Sequence, residues 1–125
     1  MTQEDKQLLL KDLCARLPYK VKVNEAVQGA FTLFGLINER VFTDSKEEFC
    51  YNDFSIELIK PYLFPLSSMT EEKKKEYQYI TERWMYDSSY SISDSTDWLN
   101  KHHFDYRGLI EKGLAIDATG LNIYQ

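Results

Sequence analysis

Two periodicities that meet at Pro18 restrict this chain more than any other feature. Before Pro18, Leu9, Leu10, Leu13 and Leu17 recur at helical spacing; after it, Val21 and Val23 alternate with Lys20 and Lys22 at strand spacing. Thr2 is a helix-capping residue type, and Glu4 and Asp5 suit the positive end of a helix dipole. The spacing predicts a helix over residues 2–17. Its leucines form one stripe, with Lys6, Lys11 and Asp12 on the opposite side, so it covers one face of something. That something is a small sheet.

Strand formers fill residues 31–37, and further strand candidates lie at 40–43 and 48–51, separated by a polar turn at 44–47. Together with the Val21 segment these make four short strands on short connections. Such connections permit antiparallel pairing, and the expected form is a strongly bent sheet or a small SH3-like barrel. Pro61 and Pro65 stand among large apolar side chains in residues 55–66, which reads as an extended or single-turn segment packed on the sheet, a buried connector.

Beyond it a second helix starts at Ser68 or Thr70. Glu71 and Glu72 occupy its first turn, and Tyr77, Ile80 and Trp84 form its stripe. Residues 87–97 are mostly Ser, Asp and Tyr and read as a loop. Ser95 or Asp94 then caps a short helix through Trp98 and Leu99. Asp105 caps another through Leu109 and Ile110, with Lys112 in its last turn and Gly113 as a left-handed stop. A short strand follows near Leu114 to Ile116. The expected architecture is α+β: an N-terminal helix on a small bent antiparallel sheet in 1–66, and a helical part in 67–125 packed on it as one compact unit.

Length and composition bound the function less tightly. The 125 residues suffice for one hydrophobic core. Nine Tyr, seven Phe and two Trp suggest half-buried rings or a contact face. The net charge of −5 is spread evenly, with eight Lys/Arg against ten Asp/Glu in 1–66 and seven against ten in 67–125. General attraction to a phosphate backbone is therefore disfavoured. No apolar run approaches the roughly 20 residues of a membrane span, and the acidic start lacks the pattern of a secretory signal, so the expected location is the cytoplasm. Cys14 and Cys50 fall in helix and strand patterns and read as small buried apolar side chains rather than a disulfide or thiolate metal pair.

The runs Ile59-Lys60-Pro61-Tyr62-Leu63-Phe64-Pro65-Leu66-Ser67-Ser68-Met69-Thr70-Glu71-Glu72 and Asp97-Trp98-Leu99-Asn100-Lys101-His102-His103-Phe104-Asp105-Tyr106-Arg107-Gly108-Leu109-Ile110-Glu111-Lys112-Gly113-Leu114-Ala115 resemble blocks of an uncharacterised family of small proteins from gut anaerobic bacteria and their prophages. Leu13-Cys14-Ala15-Arg16-Leu17-Pro18-Tyr19 is similar to that group's start, whereas 24–52 diverges. The resemblance implies a cytoplasmic accessory factor of mobile elements and brings no activity, cofactor or catalytic residue with it.

Candidate sites follow from residue chemistry. His102 and His103, with Asp94, Asp97 and Asp105 nearby in sequence, have metal-ligand chemistry, but adjacent residues diverge by about 100° on a helix and the simpler reading is one packed and one solvated histidine. Asp105 with His103 or Arg107 could move a proton, though a capping Asp and a packed Arg107 account for them more simply. Cys14 as a nucleophile fits its leucine surroundings poorly. Lys73, Lys74, Lys75 and Arg83, interleaved with Tyr77 and Tyr79, are the nucleic-acid candidates, opposed by Glu71, Glu72, Glu76 and Glu82. Trp84, Tyr86 and Tyr90 are the candidate protein contacts, aromatic anchors among short polar residues. No catalytic, metal or cofactor motif emerges. The leading expectation is a non-enzymatic module that binds a protein, a second copy of itself included, and the alternative is a nucleic-acid-associated factor.

Overall fold

The structure, a computed structural model, describes residues 1–83, 85–89 and 91–124, apart from the side chain of Ile92. Helix α1 (Gln3–Arg16) begins as its sequence requires. The Thr2 hydroxyl accepts from the Asp5 amide at 3.1 Å while the Asp5 carboxylate accepts from the Thr2 amide at 3.4 Å, a reciprocal capping box. Pro18 lies in a single tight turn that ends at Lys20, whose backbone is left-handed (φ 56°). Leu9 and Leu13 are wholly buried, and so are Asp12 and Arg16. These four share one face at helical spacing, so Asp12 lies on the covered side and not, as its charge suggests, on the solvated one.

Strands β1 (Lys22–Glu25), β2 (Gly29–Ile37), β3 (Arg40–Asp44) and β4 (Tyr51–Ser55) form an antiparallel meander. β4 begins three residues later than the strand candidate at 48–51, because Phe49 adopts a left-handed backbone (φ 64°) that breaks the extension there. The proline-bearing connector proves to be a strand, β5 (Ile59–Pro65), paired antiparallel with β1 through Val23 opposite Pro61. Two short strands, β6 (Phe104–Asp105) and β7 (Ile116–Asp117), then pair with β5 in parallel.

The sheet is therefore mixed and open, in the order β4-β3-β2-β1-β5-β6 with β7 also on β5. An SH3-like barrel is not formed. β1 is taken by β5 on the side away from β2, and β5 by the C-terminal strands, which leaves β4 at a free end with no strand to close upon. Pro61 is tolerated because its fixed φ suits an extended chain and the residue before it is biased the same way.

Helix α2 (Glu71–Arg83) starts at Thr70, whose hydroxyl accepts from the Lys73 amide at 3.2 Å. Helix α3 (Ile92–Lys101) is capped by Ser91, whose amide donates to the Asp94 carboxylate at 2.6 Å. It thus occupies much of the segment read as a loop. A Ser-x-x-Asp box inside a polar run looks like a turn until Trp98 and Leu99, a turn and a half later, find a core. Asp105 caps no helix: it lies in β6, and its two carboxylate oxygens accept from the Leu109 and Ile110 amides at 2.9 Å each, fixing a chain of turns that ends at left-handed Gly113. Leu109 is buried by that arrangement. Asp105→Ala is expected to cost about 1–3 kcal/mol by leaving buried amides unpaired, with Asp105→Asn losing less. Urea denaturation checks it, and a loss no larger than that of the exposed Glu48→Ala would contradict it.

The apolar interior has two clusters. Leu9, Leu13, Val21, Val23, Leu33, Val41, Ile56, Ile59, Leu63 and Leu109 form the larger one between α1 and the sheet. Trp98, Leu99 and Phe104 form the second, with Phe64, Met69, Tyr77 and Ile80 packed against them. β5 serves both, since successive strand residues face opposite ways: Leu63 enters the first cluster and Phe64 the second.

Candidate binding surfaces

At the free end of the sheet the outer face is apolar. Phe34, Ile37 and Tyr51 are each more than half exposed, and with Gly35, Leu36 and Phe42 they line a shallow hollow of about 310 Å³. The rings of Phe34 and Phe42 meet that of Tyr51 at centroid distances of 6.1 and 5.9 Å. A β-bulge makes this surface. Leu33 pairs with Thr43 and Gly35 with Phe42, so Phe34 is an extra residue opposite no partner. Gly35, lacking a side chain directly opposite Phe42, leaves that ring uncovered. Phe49, 98% exposed, stands in the connection that leads into β4.

None of these residues belongs to the protein-contact candidates read from the sequence. Of those, Trp84 and Tyr90 lie outside the described residues, while Tyr86 is well exposed just beyond α2. The aromatic hollow had one legible sign, a lone glycine inside a strand pattern, which marks bulges.

The lysine run separates in space. Lys74 pairs with Glu71 at 3.3 Å, and the Arg83 guanidinium lies 4.6 Å from the Tyr79 ring centre. Lys75 is exposed, whereas Lys73 turns toward α3 and its ammonium donates to His102 Nδ1 at 3.2 Å. Burial and the Lys73 charge hold His102 below the ordinary imidazole range, consistent with a neutral ring accepting that bond. His103 is buried and stacked on Tyr124 at 3.8 Å, so one histidine packs and the other is half-buried. Among the described residues no three His, Cys, Asp or Glu gather as metal ligands. Asp105 spends its carboxylate on backbone amides rather than on a reacting group.

Cys14 and Cys50 are both exposed free thiols, contrary to the buried reading. Cys14 follows Leu13 by one residue and so points off the buried face of α1, and Cys50 sits in the β3–β4 connection beside exposed Phe49.

Of the buried polar centre around Asp12 and Arg16, the sequence disclosed Arg107 alone. The Asp12 carboxylate accepts from Arg16 Nε at 2.9 Å and from Arg107 Nε at 3.1 Å. Arg16 Nη2 donates to the Phe104 carbonyl at 2.6 Å, which ties α1 to β6. Tyr106 lies near both guanidinium groups, 5.4 Å from Arg16 and 4.8 Å from Arg107, and its hydroxyl donates to Asn100 Oδ1 and accepts from Arg107 Nη2, each at 2.9 Å. Arg107 is thus packed on a ring and paired with a carboxylate, the simpler of the readings its sequence context allows. Four elements meet at this centre, which is structural: it fixes the strip from Asn100 to Arg107 against α1.

No helix among the described residues is long and apolar enough to cross a membrane. Comparison with known protein families, with curated proteins and with solved structures finds no match for the chain.

Proposed function

We propose that this protein is a non-enzymatic binding module of the cytoplasm, an accessory factor of a mobile element, which takes an extended segment of a partner protein at the free end of its sheet. The observation that carries the reading is the exposed aromatic hollow of Phe34, Phe42 and Tyr51 beside the unpaired outer edge of β4. Contiguous apolar surface of this kind marks contact sites more often than it marks idle surface. Edge strands are commonly guarded by lysine, proline or a covering element. β4 reads Tyr51-Asn52-Asp53-Phe54-Ser55, without lysine or proline, and its one acidic side chain is engaged by Arg40 at 2.8 Å. An added strand would find backbone donors and acceptors along that edge, and an apolar side chain would enter the hollow. Phe49 supplies a further anchor next to it.

The test is an affinity purification from host cells after nuclease treatment, comparing the wild type with Phe34→Ser/Tyr51→Ser. Both positions are exposed, so the variant is expected to fold while losing at least about tenfold in affinity, as removal of two aromatic anchors commonly does. The retained protein should also slow amide exchange along residues 51–55. A partner held equally by both chains, or nothing held once nucleic acid is digested, would overturn the reading. A wild-type dimer that the substitutions dissociate would identify a second copy as the occupant.

A further inference from the structure

On the opposite side of β5 from the meander, a cleft of about 450 Å³ opens between the turn after α1, the end of α3 and the C-terminal segment. Its volume is that of a small-molecule site. The charged side chains on its wall are Lys20, Lys73 and Lys101, brought together from three separate parts of the chain, and among the described residues no carboxylate lines it. In a protein of net charge −5 this concentration of cations is local and is opposed nearby by Glu76, which accepts from Trp98 Nε1 at 3.1 Å and lies 4.0 Å from His102 Nε2.

The same wall is aromatic. Tyr124 and Phe64 are in ring contact at 5.8 Å, and Tyr124 is held rigidly because its hydroxyl donates to the Tyr62 carbonyl at 2.6 Å and accepts from the Lys22 amide at 3.0 Å. His103 lies flat on it, 11° from parallel. That histidine is more than nine-tenths buried, yet its Nδ1 has no hydrogen-bond partner among the described residues. Its backbone is left-handed (φ 62°), as is that of Lys20 (φ 56°), a conformation that non-glycine residues adopt at a cost. Strained backbone at two positions of one wall is a feature that clusters at ligand sites.

We infer that this cleft, lined by Lys20, Lys73, Lys101, His102, His103 and Tyr124, binds a phosphate group attached to a flat ring, the chemistry of a nucleoside monophosphate, whether free or at the end of a strand. The lysines meet the phosphate and the fixed aromatic wall meets the ring. This site is separate from the aromatic hollow and stands or falls independently of it.

The experiment is calorimetric titration of the full chain at low salt with adenosine 5′-monophosphate, adenosine, inorganic phosphate and a 5′-phosphorylated dinucleotide. The monophosphate should bind at least about tenfold more tightly than phosphate or adenosine alone, each tenfold being about 1.4 kcal/mol. Lys20→Asn/Lys101→Gln should weaken it by about tenfold or more, two phosphate-facing charges being lost. Both residues are exposed, and Asn suits the left-handed backbone at position 20. Lys74→Gln/Lys75→Gln, outside the cleft, should leave it unchanged. Equal binding of the dinucleotide would identify a strand end as the source, and weaker binding a free nucleotide. Absence of binding at millimolar monophosphate, or equal weakening by the Lys74/Lys75 pair, would overturn the inference; adenosine binding as tightly as the monophosphate would do the same.

Discussion

Asp12→Ala is expected to destabilise the protein by about 3–5 kcal/mol, the range found when one partner of a buried ion pair is removed. The side chains of Asp12 and Arg16 are both fully shielded, and Arg107 beside them is largely so. Alanine at position 12 leaves the Arg16 guanidinium sealed from water with the Phe104 carbonyl accepting from Nη2, while its Nη1 already lacks a partner among the described residues. The cost of an uncompensated buried charge far exceeds the gain the pair makes when intact. For that reason Asp12→Leu combined with Arg16→Met should be less damaging than Asp12→Ala alone, because it removes the charge together with its partner. Urea denaturation of the two variants decides the point. A single-variant loss below about 1 kcal/mol, the size of a surface pair, would mean that water reaches the centre.

Acid sensitivity centred on His103 is the second large effect. Burial, followed by the nearby charges of Arg16 and His102, pushes its pKa down to about 4 from an ordinary value of 6.5. Between those values the unfolded chain takes up a proton that the folded chain refuses, so stability falls as the pH drops from about 6.5 toward 4 and is constant above that window. The full difference amounts to about 3 kcal/mol as an order of magnitude. His103→Asn tolerates the left-handed backbone and carries no titrating group. Its unfolding midpoint should change less between pH 7 and pH 4 than that of the wild type, by about one proton's worth of slope. Parallel profiles for the two proteins would show that His103 is not the group responsible. Asp87 and Asp117 are carboxylates held below their ordinary value of 3.8 by hydrogen bonds from Ser89 and Thr119, so they titrate below this window in both proteins.

The two candidate sites were legible to different degrees. Lys73 was singled out from its run, but as part of a triplet whose other members point elsewhere, and Lys20 and Lys101 carried no mark at all. They become neighbours of Lys73 only because the turn after α1 and the end of α3 converge beside β5. The aromatic hollow likewise depends on a bulge that re-aims Phe34, a displacement of register between strands and so a property of the pair rather than of either segment.

Local chemistry determined what could be read directly. A helix start needs a side-chain acceptor three residues before a free amide, and Thr2 with Asp5 and Thr70 with Lys73 meet that need within a few residues. The strands β2 and β3 likewise follow from their own composition. Tertiary structure decided the rest, for one recurring reason: the partner that stabilises the segment is distant in sequence. β6 and β7 have two residues each and exist because β5, some 40 and 54 positions earlier, offers an edge in parallel register. Arg16 is buried because Asp12 neutralises it and because Phe104, 88 residues away, accepts its hydrogen bond. A charged residue on a helix reads as solvent-facing until such partners are in place, and no periodicity within the helix records them.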